Sequence, residues 1–511
     1  MDIVARKKKN SDKTNIKEES NIQEDLKVTS DIEEENNGHK NTDNNLENKN
    51  ILKKFSSKNI IIFVVAITSF LAAFLTSSIT VALPVIAKEF VIDVIVQNWL
   101  ATSFLLAIAI FSVPFGKLSG KFGLKKFFSL GIVILIVGTI GASLAFSAYS
   151  LIFFRVIQGI AVSMVNVAGF ALITEALPPN ERGKAIGIAI SSVYIGLTLA
   201  PVLGGILTKN LGWQSIFYVI IPFLFIPLIL TMFKVREEWQ TGRDHPFDFI
   251  GTTIYSIGIL LFMYGFTILN QTTGVVLTAI GLLLLIGFTL FELRQKFPVF
   301  HMDLFKNVKF ASSNLAALIS YLATFVVTYI LSYYFQYIKQ LDPQTTGFIL
   351  IVTPALMAIL APFSGKLSDK FEPQKLAALG MGFVAVALFI LIFLNEGTPL
   401  YIVIISMMLQ GIGYGIFSSP NTNSIMGSVP RKLAPVASAT VSTVRVIGQT
   451  MSLGMLTVIF AIVMGSVQII PKYFPLLMQS SQIAFIISTI LCVIAIIASL
   501  IGVKSKIQIN S

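Results

Sequence analysis

Fourteen stretches of about twenty apolar residues, each long enough to cross roughly 30 Å of hydrocarbon as a helix, run through this 511-residue chain. They lie near 60–86, 97–115, 127–147, 150–174, 184–208, 216–233, 249–269, 274–293, 313–338, 345–364, 375–395, 399–423, 434–465 and 482–503. Lipid offers no water to open backbone groups, so such stretches close their hydrogen bonds internally, as helices. The predicted fold class is all-α and membrane-embedded. The polar break at 270–273 separates the seventh and eighth spans, and an even count puts both termini on one side.

Residues 1–57 mix Lys, Glu, Asp and Asn with almost no aromatic residue, too little apolar surface to fold alone. They are predicted to be a disordered cytoplasmic tail, with 506–511 a second one. The first apolar run begins only near Asn59, so no short cleavable signal precedes it and the first span acts as its own insertion signal. The single cysteine, Cys492, excludes an intramolecular disulfide and a thiolate metal cluster. The formal charge of +12 would suit nucleic acid. Its distribution argues otherwise: with the N-terminus inside, the inner loops and C-terminal tail hold roughly twenty Lys and Arg and the outer loops about four. The charge is thus a topology signal. The expectation is a multi-pass plasma membrane protein with cytoplasmic termini, contacting the lipid bilayer and no nucleic acid.

An internal echo divides the chain. GKLSGKF at 116–122 returns as GKLSDKF at 365–371, about 250 residues later, with Asp369 in place of Gly120. IQGIAVSM at 157–164 matches LQGIGYGI at 409–416 at nearly the same offset, whereas RGKAIG at 182–187 and LAPVAS at 433–438 agree only in Ala and in preceding a span. Six spans occupy about 175 residues, so this offset means six plus two. The predicted organisation is a six-helix bundle at 58–235, two inserted helices and a linker at 236–310, and a second six-helix bundle at 311–505. Duplicated bundles related by an axis along the membrane normal suit a rocking transporter with one central site.

With these motifs the chain resembles the major facilitator superfamily, and within it the fourteen-helix drug:proton antiporter branch, over roughly residues 60–505. The superfamily's loop signature is matched by Gly116, Leu118, Lys121, Gly123 and Lys125, with Gly120 where an acid usually stands. The second copy has Gly365, Asp369 and Lys370, followed by Glu372 and Pro373 instead of glycine and a basic residue. The fourth span carries the arginine motif as Arg155, Gln158 and Gly159. The fifth carries the antiporter motif as LAPVLGG at 199–205, with Ala200 for the usual glycine, and Trp213 follows. The first span ends in VALP at 81–84, but FLTSSIT before it lacks the aspartate that many proton-coupled members carry. The resemblance implies a major facilitator fold of two pseudo-symmetric six-helix bundles plus two inserted helices. It further implies export of diverse small molecules by alternating access, proton exchange, and a working monomer without cofactor or metal. A narrow metabolite transporter of the same fold, or a non-transporting receptor or scaffold, are the alternatives.

An arginine at the centre of a span costs about 2.5–3.5 kcal/mol on insertion scales, so Arg155 and Arg445 each call for a reason. Either they face a central cavity and bind an anionic group or gate protons, or they satisfy carbonyls and lock the bundle. No Asp or Glu lies at mid-membrane depth; Glu175, Asp248 and Glu292 fall near cytoplasmic ends, with Glu175 the nearest candidate for a proton carrier. Such a cavity should tolerate neutral or anionic cargo better than a cation, and an imposed pH gradient should drive flux weakly. His39, His245 and His301 are placed in the tail and loops, where they form no relay. Gln158, Asn166, Tyr194, Gln410, Asn421 and Gln449 are the candidate cargo contacts, since polar groups are costly against lipid. Tyr333, Tyr334 and Tyr337 read as an interfacial belt.

Gly196, Ala200 and Gly204 share one helix face, as do Gly411, Gly415 and Ser419; with Pro201 and Gly205 beside them they are expected to form seams that slide or hinge. The loop motif reads as a latch: Gly116 and Gly123 make a tight turn, basic residues including Lys121 hold a neighbouring helix end, and Asp369 is expected to make the second latch firmer. GIGYG at 411–415 has no preceding strand and GKLSGKF lacks phosphate-loop spacing, so neither binds a nucleotide. No Ser/His/Asp, metal or cofactor constellation supports an enzyme.

Overall fold

The computed structural model describes residues 58–240, 248–294, 302–430 and 433–504. The predicted tails, together with His39, His245 and His301, lie outside them. The chain divides into two units, 1–59 and 60–511, and only Lys58 and Asn59 of the first are described.

Among the described residues, fourteen helices are long and apolar enough to span a membrane. They are α1 (Lys58–Phe90), α2 (Val94–Phe122), α3 (Leu124–Ser143), α4 (Ala148–Ala176), α5 (Pro179–Leu211), α6 (Ser215–Lys234), α7 (Phe249–Thr267) and α8 (Thr272–Glu292), then α9 (Val308–Tyr333), continued by a π turn at Tyr334–Ile338. The remainder are α10 (Pro343–Leu350 and Val352–Ser368, broken at Ile351), α11 (Pro373–Ile392), α12 (Leu400–Met426), α13 (Ala434–Val463) and α14 (Phe474–Lys504). The last begins eight residues before the apolar run that predicted it. Pro475 sits in its first turn, where a missing N–H leaves no intrahelical bond unmade. Asp93, Asn307 and Asp342 cap α2, α9 and α10 by accepting bonds from first-turn N–H groups, the ordinary use of a short polar side chain there.

Contacts repeat with a shift of eight helices. α4 packs on α2 and α3 as α12 packs on α10 and α11, and α6 meets α3 as α14 meets α11. Glycine sets both close crossings. A Cβ on Gly159 of α4 would collide with the Phe104 carbonyl of α2, and one on Gly411 of α12 would stand 2.7 Å from the Thr353 carbonyl of α10. Two seams between the halves, α2 with α13 and α5 with α10, are themselves mates under the same shift. The inserted pair α7 and α8 pack on each other, and α7 lies against both α2 and α13. Its Tyr255 hydroxyl donates to the Ala109 carbonyl of α2 at 3.0 Å.

Candidate functional site

The turns α2–α3 and α10–α11 lie at the same end of the helices, here termed the basic face; the distal face is the other. Bonds between the halves gather toward the distal face. The Ser332 hydroxyl and Gln336 amide of α9 donate to the Thr80 and Val81 carbonyls of α1, each at 2.9 Å. Asn98 of α2 donates to the Leu453 carbonyl of α13 at 2.9 Å, and the Val94 N–H to the Val467 carbonyl at 3.1 Å. Lys209 of α5 meets Asp342 at 3.2 Å. Burial pushes the Asp342 carboxyl up slightly, but bonds from Thr345 and the Lys209 charge outweigh it and hold it down at about 2. Beside this pair, Gly205 lies against the Pro343 carbonyl and Gly347 against that of Pro201, closer than any Cβ permits. Among the described residues, the crossing bond nearest the basic face is Tyr194 hydroxyl to Ser418 hydroxyl, at 3.0 Å.

Tyr333 and Tyr334 are packed inside the second half rather than in a lipid-facing belt, and Tyr337 joins the seal. Tyr333 and Tyr334 are fully buried. Tyr337 donates to Gln97 of α2 at 3.3 Å, and Tyr334 to the Asn395 carbonyl at 3.0 Å.

Below the seal lies a cavity of about 140 Å³, walled by α1, α5, α9, α10, α12 and α13. Tyr194, Gln410, Gln449 and Arg445 line it. Four further wall residues went unnoticed in the sequence: Tyr321, Phe325, Tyr329 and Tyr414. Their signal, three aromatic residues at helical spacing on α9 and a single tyrosine on α12, is the same as that of packed core. Tyr321 and Tyr414 meet edge to face with centroids 6.0 Å apart, and Phe325 and Tyr329 tilt together at 5.5 Å. Arg445 is half-buried, lies close enough to Tyr321 for its charge to act there, and has no hydrogen bond or ion pair among the described residues.

Arg155 stands elsewhere. Fully buried, it donates from Nε to the Leu100 carbonyl at 3.1 Å and from Nη1 to the Leu75 carbonyl at 3.2 Å and Gln158 Oε1 at 3.0 Å. Its guanidinium lies 4.1 Å above the Phe104 ring. It thus ties α1, α2 and α4 together one layer behind Tyr329, off the cavity wall. Gln158, which passes the chain of bonds to Thr139, is off the wall with it. So are Asn166, half-buried on α4, and Asn421, which donates to the Ser313 carbonyl at 3.1 Å. Glu175 is exposed at the basic end of α4.

Comparison with known proteins agrees with this architecture. The model of the Major Facilitator Superfamily matches residues 65–293 and 313–507. The chain belongs to the major facilitator superfamily. Its relatives include the riboflavin transporter RibZ of Clostridioides difficile, 29% identical over 76% of this chain and 85% of that one. The multidrug resistance protein Stp of Mycobacterium tuberculosis is 28% identical over 75% and 72%. A crystal structure of a bacterial homologue of the human lysosomal transporter Spinster, inward-facing and unoccupied, superposes with a TM-score of 0.65 over 89% of this chain and 99% of that one, at 16% identity. As a member of the superfamily the protein is a secondary transporter of small molecules, not an enzyme.

The superfamily's loop motif is used differently in its two copies. Neither contains a turn at its first glycine: α2 runs through the whole first copy to Phe122, whereas α10 passes Gly365 and ends at Ser368, inside the second copy. Gly116 packs near Val167, and Gly365 faces Ser419. The turn in the first copy is at Gly123, whose φ of 105° favours glycine. Glu238, unremarked in the sequence, accepts from the Lys125 and Lys126 N–H groups at 2.9 and 3.3 Å, so the linker after α6 caps α3. Lys121, Asp369 and Lys370 are all exposed, and Asp369 makes no side-chain bond among the described residues. The firmer hold is in the first copy. Glu292, at the end of α8, is one of only two fully buried charged side chains among the described residues, the other being Arg155. Its charge and that of Asp248 act on Lys117.

The glycine seams also divide. A Cβ on Gly196 or Gly204 would stand 2.6 or 3.0 Å from the Phe70 or Ser78 carbonyl of α1, with Ala200 buried between them, and Gly411 and Gly415 face α10. Both stripes lie within one half. The seam that crosses between halves is Pro201 and Gly205 against Pro343 and Gly347.

Proposed function

We propose that the protein exports varied small organic molecules from the cytoplasm by alternating access, working as a monomer in the plasma membrane with both termini and the basic face cytoplasmic. The observation that carries the reading is a central cavity walled by both halves and closed off toward the distal face by bonds between them. Cargo enters from the basic side; breaking the distal bonds while the halves close over the basic side exposes it outward. Likeness to a multidrug resistance protein supports export and breadth, and the Lys and Arg bias supports the orientation. Exchange for protons is what the fourteen-helix branch implies, but the cavity wall bears no carboxylate among the described residues. Imposed pH gradients should therefore drive little flux through the cavity itself.

The test is uptake of a chemically varied panel into inverted proteoliposomes, with and without a pH gradient. Several accepted compounds support broad export. No movement of any compound favours a receptor or scaffold. Strong pH-driven flux that survives Glu175→Gln removes the exposed carboxylate from the mechanism. A second reading, a carrier for one metabolite, is favoured by likeness to a riboflavin transporter; a single accepted compound would establish it.

A further inference from the structure

The cavity's wall chemistry, more than its volume, restricts what it can hold. Tyr194, Tyr321, Phe325, Tyr329 and Tyr414 offer ring faces and edges from three helices, α5, α9 and α12. The two ring pairs are set edge-to-face or tilted, and all four rings line the cavity. Rings of this kind accept another aromatic ring by offset stacking. They also attract cations over their faces, and an aromatic box alone would not distinguish the two.

Arg445 decides between them. It is a permanent cation on the same wall, with no hydrogen bond or ion pair among the described residues. No Asp or Glu lines the cavity among the described residues to neutralise it. A second cation here would meet an unscreened like charge at short range, which outweighs the pull of a ring face. A carboxylate or carbonyl would give Arg445 the acceptor it lacks, through the charge-assisted bonds guanidinium favours. Gln410, Gln449 and the Tyr hydroxyls can then serve the remaining polar edge of such a solute.

Resting on the reading that this cavity carries the cargo, we propose that it selects planar, fused-ring aromatic solutes that are anionic or neutral with hydrogen-bond acceptors at one edge, held by Arg445 and stacked on the tyrosine box, and that it rejects cations of the same shape.

Three fluorescent probes sharing one tricyclic ring test this: 9-anthracenecarboxylate, 9-anthracenemethanol and 9-(aminomethyl)anthracene, titrated against the full chain in nanodiscs. The carboxylate should bind roughly tenfold more tightly than the ammonium compound, with the alcohol between. Arg445→Gln should erase that order while leaving the melting temperature close to wild type, Arg445→Lys should keep it in part, and Tyr414→Leu should weaken all three. Equal or tighter binding of the ammonium probe overturns the charge rule. An equal loss for all three probes in Arg445→Gln makes the arginine a packing residue and overturns its role as anchor. Equal competition by cyclohexanecarboxylate overturns the requirement for a flat ring. Failure of all three probes overturns the solute class, and the flux panel then decides transport separately.

Discussion

Arg155 in α4 and Arg445 in α13 are both guanidinium groups set inside membrane helices, one in each half, and their surroundings differ in every respect that matters. Arg155 has three acceptors and an aromatic ring beneath it, and no solvent exposure. Arg445 has none of these acceptors and opens onto a cavity. Arg155 makes three bonds inside the first half, and its remaining nitrogen, Nη2, is buried off the cavity wall where no cargo meets it; idle donors beside an opening, as at Arg445, have a standing demand for an acceptor. The comparison separates a residue that assembles the first half from one that recognises what the second half helps to hold.

The sharpest way to break that contrast is to exchange the two losses. Arg155→Ala should remove three bonds from a buried guanidinium to α1, α2 and Gln158 and lower stability by about 3 kcal/mol, seen as a large fall in melting temperature. Arg445→Gln should leave melting almost unchanged and act on binding. If both variants melt alike, the division of labour is wrong. A second, smaller effect sharpens the contrast between the distal and basic faces. Gly347→Val puts a Cβ into the Pro201 carbonyl, so the distal seal should fail to close and cysteines placed at Thr80 or Ser332 should become reactive to a membrane-impermeant thiol reagent from the distal side. Unchanged protection would mean the seal does not depend on that approach.

The two loop copies give the next test. Glu238→Gln should cost about 1 kcal/mol through the lost cap on α3, whereas Asp369→Asn should be silent in the same melting experiment; equal effects would restore a matched pair of latches. The smallest effect is expected at Lys209 and Asp342. Because both are substantially exposed, their pairing contributes at most about 0.5 kcal/mol after solvent screening. The carboxyl is depressed, so the contribution is complete above the ordinary carboxylate value near 4 and disappears as pH falls through about 2. Between pH 5 and 8 a Lys209→Gln variant should therefore differ from wild type by a constant amount, and a difference that changes with pH in that range would point to another titrating group.

The family was legible because its evidence is one-dimensional. Spans are runs of apolar residues, the duplication is a repeated word, and motif residues such as Arg155, Gln158 and Gly159 sit at fixed spacing. Orientation within the bundle is not one-dimensional. Nothing local marks Arg155 as turned toward Leu75 and Leu100, or Tyr414 as turned toward an opening, because a polar or aromatic residue in a helix reads the same whichever neighbour it faces. Glu238 was missed for a related reason: its partner N–H groups lie more than a hundred residues away, on the other side of four helices.

The order of the amino acids by itself determined that this chain crosses a membrane fourteen times as two related sets of six with a pair between, since apolar length and repetition act along the chain and need no neighbour. Only the packed helices decided which arginine is consumed by backbone carbonyls, which tyrosines gather around an opening, and which loop copy is capped. Each of those depends on what lies across a helix interface, where hydrogen bonds and charge act over a few ångströms of space whatever the separation in sequence.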